Sequence, residues 1–101
     1  MVESRWVAGS TDRGLTWEVL ATVTADPTLG AEGCNEMDLV RAPSGDLLCL
    51  FRTGGSRQSP DPLYQCRSSD EGKTWSPPER VADRGVWPNT CLLKSGVLVC
   101  T

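Results

Sequence analysis

The chain has 101 residues, a formal charge of −3 and no histidine. That length suits one small domain, here taken as residues 1–101, and not a large enzyme. The acidic balance and scattered basic residues speak against a nucleic acid or an anionic membrane as partner. Without histidine, Ser-His-Asp and Cys-His catalysis and His-ligated metal sites are excluded.

No stretch is long enough to span a membrane. The opening Met1-Val-Glu-Ser-Arg5 lacks the apolar run of a signal peptide, and no compartment is indicated. The five cysteines are an odd number and include no C-x-x-C pair. Neither a zinc site nor a complete disulfide framework is expected. They are expected to be buried thiols acting as small hydrophobes, with Cys49 and Cys100 inside apolar runs. No metal or cofactor is implied.

In chain order, strands are expected at Arg5–Gly9, Trp17–Val23, Asp38–Ala42, Leu47–Phe51, Tyr64–Arg67, Glu79–Val81, Thr90–Leu93 and Val97–Cys100. Leu47–Phe51 and Val97–Cys100 are continuous apolar runs, each preceded by a Ser-Gly turn. Both are expected to be buried on two faces, where each fully buried Leu or Val contributes about 1.5–3 kcal/mol. Asp26–Gly33 and Thr53–Pro62 are rich in Gly and Pro and read as loops. No segment carries a helical apolar stripe.

The sequence repeats itself. Ser10-Thr-Asp-Arg-Gly-Leu-Thr-Trp17 matches Ser68-Ser-Asp-Glu-Gly-Lys-Thr-Trp75 at five of eight positions, at an offset of 58. Ser44-Gly-Asp-Leu-Leu-Cys-Leu50 resembles Ser95-Gly-Val-Leu-Val-Cys-Thr101 at an offset of 51. One unit is therefore about 50–60 residues, at or slightly above the propeller-blade period.

The S-x-D-x-G-x-T-W pattern, at 10–17 and 68–75, has a mechanical reason. It suits the turn between adjacent antiparallel strands. Asp12 and Asp70 accept backbone N–H groups within the turn, and Ser and Thr hydroxyls add to this. Gly14 and Gly72 permit a positive φ. Trp17 and Trp75 are expected to anchor the following strand in apolar surroundings. Gly72-Lys-Thr74 is not a phosphate-binding loop, because Arg67 stands where the first Gly is required.

These paired Asp boxes resemble the sialidase superfamily, the six-bladed β-propellers with BNR repeats. The resemblance implies an all-β fold of antiparallel blades, about two of six. It also implies an arginine triad gripping a substrate carboxylate, a Tyr nucleophile assisted by a Glu, and an Asp acid/base. Glu36 and Arg52, separated by the Pro43-Ser-Gly45 turn, resemble the family's Glu and second triad Arg. They would start one strand and end the next, and so meet on one side of the sheet. Arg52 could grip a carboxylate, and Glu36 could polarise a hydroxyl. A cross-strand salt bridge is the alternative. Arg57 is a further substrate-binding candidate in the loop. Trp87 and Asn89 could line a sugar subsite, or serve as a core Trp and a turn Asn.

The chain departs from the family in holding no Tyr near Trp87-Pro-Asn-Thr90, where the nucleophile is expected. The single Tyr64 does not take that role. The first triad Arg and the acid/base Asp are also without a match. Three outcomes remain open at this level: part of a sialidase-like hydrolase inactive alone, a non-catalytic segment binding glycan or protein, and a self-assembling unit. The boundary strands suggest completion by the remaining blades of a parent chain or by a homo-oligomer, about three copies for six blades.

Overall fold

The computed structural model describes residues 4–29, 33–54 and 62–101. It contains eight strands and, among the described residues, no helix. They are β1 (Arg5–Gly9), β2 (Glu18–Thr24), β3 (Cys34–Arg41), β4 (Leu47–Thr53), β5 (Leu63–Ser68), β6 (Glu79–Ala82), β7 (Thr90–Leu92) and β8 (Leu98–Cys100).

The strands form three antiparallel sheets in chain order. β1–β2 is a two-stranded sheet, β3–β4–β5–β6 a four-stranded meander, and β7–β8 a second two-stranded sheet. This all-β arrangement is consistent with partial propeller blades. The two-unit repeat thus appears as one four-stranded sheet with a half-sheet on each side.

The central sheet is buried on both faces. Cys34, Cys49, Phe51 and Cys66 on one face form a cluster with Val23 of β2 and Leu29, and Val7, Met37, Tyr64 and Trp75 pack around it. Leu48 and Leu50 on the other face cluster with Ala42, and Val40 and Leu98 pack against them. The period-2 alternation of β4 therefore feeds two cores, one toward β1–β2 and one toward β7–β8. Leu29 was not expected in a core, since it lies in the Asp26–Gly33 loop. It is carried inward by a turn in which Thr28 donates to Asp26 Oδ1 through its backbone N–H (2.9 Å) and its hydroxyl (2.6 Å).

The run Leu47–Phe51 is buried as its composition implies, but Val97–Cys100 is not. Val97 is exposed, as are Val99 and Cys100, and only Leu98 is half-buried. The physical reason is position. β8 pairs with β7 alone among the described residues, and only one of its faces meets the central sheet. The cysteines divide the same way. Cys34, Cys49 and Cys66 are buried, whereas Cys91 and Cys100 are exposed. Burial pushes the Cys49 thiol up to about 12 and the Cys66 thiol up to about 11, with neighbouring thiols adding to both shifts.

Both Asp boxes sit in hairpin turns, between β1 and β2 and between β5 and β6. Their bonding is the same residue for residue. Ser10 Oγ donates to Asp12 Oδ1 (2.7 Å) and accepts from the Gly14 N–H (2.8 Å). Asp12 Oδ1 accepts from the Thr16 N–H (2.9 Å), and Oδ2 from its hydroxyl. Ser68, Asp70, Gly72 and Thr74 repeat every one of these bonds. Hydrogen bonds to the charged form, the Thr hydroxyl foremost, hold both aspartates at about 2. The left-handed turn takes two residues and not one: Arg13 and Glu71 (φ 64° and 60°) precede Gly14 and Gly72 (φ 87° and 83°). The tryptophans differ in burial. Each indole N–H donates to the box glycine carbonyl, but Trp75 packs on the core while Trp17 is 66% exposed.

Candidate functional site

The site lies where β3 and β4 of the central sheet face the segment leading into β7. β3 begins earlier than expected, at Cys34, so Glu36 lies inside the strand rather than at its start. In the register, Asn35 faces Arg52 and Met37 faces Phe51, leaving Glu36 as the extra residue of a bulge. Its backbone is left-handed, φ 46°. A bulge re-aims a side chain out of the alternating pattern. For a non-glycine residue, this conformation is one that the surrounding structure must hold in place.

The bulge aims the Glu36 carboxylate at Arg52. Arg52 Nε donates to Oε2 at 2.8 Å and Nη2 to Oε1 at 3.1 Å, a two-point grip. Both side chains are mostly withdrawn from solvent, 18% exposed for Arg52 and 26% for Glu36. The same carboxylate accepts the Trp87 backbone N–H at 2.7 Å and its indole N–H. Desolvation works to raise the Glu36 pKa, but the Arg52 and Trp87 hydrogen bonds outweigh it and leave it below its ordinary value. At neutral pH, Glu36 is therefore an anion saturated with donors, and it orients Arg52.

One step along β3, Asp38 performs a related task. Its Oδ2 accepts both the backbone N–H and the hydroxyl of Thr90 at the start of β7. Desolvation opposes ionisation here too, and the Thr90 hydrogen bonds prevail to lower the pKa. Glu36 and Asp38 together stitch the central sheet to the β7–β8 half-sheet. At the outer end of the site, Arg5 of β1 donates to Asn35 Oδ1 at 3.0 Å. Asp38, Thr90, Arg5 and Asn35 were missed in the sequence. The acidic pair Glu36-x-Asp38 was a usable signal for Asp38, since residues two apart on a strand share a face.

Among the residues named from sequence, the fold brings Glu36, Arg52 and Trp87 into contact. Trp87 is not a core residue: it is 74% exposed and left-handed, φ 51°. Asn89 is exposed and exchanges backbone hydrogen bonds with Thr101 in both directions, 3.1 and 3.0 Å. It extends the β7–β8 ladder and does not join the Glu36 cluster. Arg57 lies outside the described residues. Tyr64 is half-buried and stacks on Phe51, with ring centroids 6.1 Å apart, on the sheet face opposite the site. Among the described residues, no group of three or more His, Cys, Asp or Glu side chains is arranged to hold a metal ion. No helix among them is long and apolar enough to cross a membrane.

A search of curated proteins finds no match. A family model described as a BNR repeat-like domain matches residues 3–98. That span takes in both Asp boxes, β1 to β7 and the Glu36–Arg52–Trp87 cluster, and ends at the first residue of β8. The chain belongs to the BNR repeat-like domain family, a sialidase-related β-propeller family.

Proposed function

We propose that this chain is part of a sialidase-like propeller and contributes Glu36, Arg52 and Trp87 to a site for an anionic, sialic-acid-type sugar. The observation that carries this reading is the two-point Glu36–Arg52 pair on a left-handed bulge. A largely desolvated ion pair is weak evidence of a stabilising role, so a strained backbone held around this one supports a role in recognition. Arg52 supplies the planar donor fork that suits a sugar carboxylate. Glu36 fixes its orientation, and it polarises a hydroxyl nucleophile brought by other blades once that hydroxyl takes the place of a Trp87 donor. Trp87 offers an exposed aromatic face beside them.

A non-catalytic, glycan-binding role is the second reading. It is favoured by Trp87, an indole standing in the stretch where the family resemblance puts a tyrosine. One experiment separates the two. A sialoside reporter is assayed with the longest native protein containing this sequence, alongside binding of free sialic acid followed by NMR. Turnover abolished by both Arg52→Ala and Glu36→Gln supports the hydrolase. Binding lost in Arg52→Ala but kept in Glu36→Gln, without turnover, supports the binding module. Neither binding nor turnover would overturn both.

A further inference from the structure

The two half-sheets are complementary halves of the sheet between them. β1–β2 is the counterpart of β5–β6, with the same Asp-box bonds in its turn. β7–β8 is the counterpart of β3–β4. In both, a Ser-Gly turn is closed by the same pair of backbone bonds, Ala42 to Asp46 and Gly45 to Ala42 in one, Leu93 to Val97 and Gly96 to Leu93 in the other. Within one chain these halves cannot meet, because they pack on opposite faces of the central sheet.

The packing surfaces repeat as well. Tyr64 of β5 and Trp75 of the β5–β6 turn pack, as does Val7 of β1, on the cluster that includes Val23 of β2. At the offset of 58, the counterparts of Tyr64 and Trp75 are Trp6 and Trp17, which are 57% and 66% exposed. The counterparts of Val7 and Val23 are Gln65 and Val81. Both line an apolar groove of about 440 Å³ with Leu50, Leu63 and Val86, beside Cys100 at the end of β8. The groove and the two indoles are thus the two sides of a contact already made once in this molecule.

We propose that β8 of one copy pairs antiparallel with β1 of a second copy, completing a four-stranded sheet and seating the second copy's Trp6 and Trp17 in this groove. The β4–β5 register, with Leu47 opposite Ser68, Leu48 opposite Arg67 and Cys49 opposite Cys66, fixes the alignment. It places Leu98 opposite Ser10, Val99 opposite Gly9 and Cys100 opposite Ala8 of the second copy. The contact is head-to-tail, so it propagates until a ring closes.

The full chain is tested by light scattering across a concentration series and by cross-linking. Opposed strand residues lie about 4.5–5.5 Å apart, within disulfide reach. Ala8→Cys in a Cys91→Ser background should therefore give disulfide-linked multimers on mild oxidation, and adding Cys100→Ser should abolish them. Trp6→Asp with Trp17→Asp should abolish the higher-mass species while leaving the circular dichroism of the monomer intact. Leu15→Asp, at a position 85% exposed in the first Asp box, should leave assembly unchanged. A chain monomeric at every concentration, or cross-links that persist without Cys100, would overturn the proposal.

Discussion

Glu36 and Trp87 occupy the same position in successive repeats, at the offset of 51, and both adopt a left-handed backbone, φ 46° and 51°. The Trp87 backbone N–H and indole N–H both end on the Glu36 carboxylate. Two residues that resist this conformation are thus held in it by one shared set of hydrogen bonds. Strain of about 1–3 kcal/mol per such residue persists only where surrounding contacts over-determine the geometry.

The first prediction follows from that contact. The Trp87 indole donates to an anion, whereas the Trp17 and Trp75 indoles donate to the glycine carbonyls of their own turns. In a proton–nitrogen NMR spectrum, the Trp87 indole signal should lie downfield of those two. Glu36→Gln should move it by several tenths of a ppm and leave the other two in place. Because the Glu36 pKa is lowered, the wild-type signal should titrate with a midpoint below 4.5. A midpoint at or above 4.5 would show that the donors do not control this carboxylate.

The Asp boxes set the acid limit of the fold. Asp12 and Asp70 are held at about 2, below the 3.8 of an unperturbed aspartate. A carboxylate depressed in the folded state stabilises it fully above the unfolded pKa. That contribution is lost as pH falls from about 4 toward 2. Unfolding followed by circular dichroism should show stability declining through this window. Asp70→Asn should flatten the decline and lower stability at pH 7, because an amide nitrogen cannot accept the Thr74 hydroxyl proton.

The eight strands were legible because each is short, apolar or alternating, and bounded by Gly, Pro or Ser. The Glu36–Arg52 meeting was legible too, since a hairpin with the Gly45 turn brings this end of β3 beside Arg52, although Asn35 and not Glu36 is its register partner. The bulge was not. It depends on a left-handed residue in the middle of a strand, and nothing local marks Glu36 for that conformation. The burial of Val97–Cys100 was misread for a related reason: an apolar run gives strand propensity, while burial depends on how many neighbours the strand acquires. Trp17 and Trp75 make the same point. Identical turns give them identical backbone bonds, but only Trp75 has a sheet to pack against.

Thiol chemistry should divide the cysteines by location. Cys91 and Cys100 are exposed, and Cys34, Cys49 and Cys66 are buried. With Cys66 at about 11, roughly one thiol in a thousand is ionised there at pH 8, and fewer still at Cys49. In dilute, monomeric chain, a coloured disulfide reagent should react rapidly with two thiols per chain and slowly with the rest. All five should react at once in denaturant. Rapid reaction of three or more in the folded state would mean that the core facing β1–β2 is open to solvent.

Phe51 tests whether that core holds the sheets together. Its side chain is 0% exposed, stacked on Tyr64 and surrounded by Val23, Cys49 and Cys66. The next residue, Arg52, points to the opposite face, so the substitution Phe51→Ala leaves the site chemistry untouched. Removing a buried aromatic ring costs about 3–5 kcal/mol, from lost burial and the cavity left behind. Typical domains have about 5–15 kcal/mol in total, so the urea midpoint should fall steeply and the chain should stand near the limit of folding. Leu15→Ala should change stability by less than about 0.5 kcal/mol. Where Phe51→Ala stays folded, the Trp87 indole signal should keep its position, because it depends on Glu36 across the other face of the sheet. A loss under about 1 kcal/mol would show that β1–β2 and the central sheet do not share a packed core.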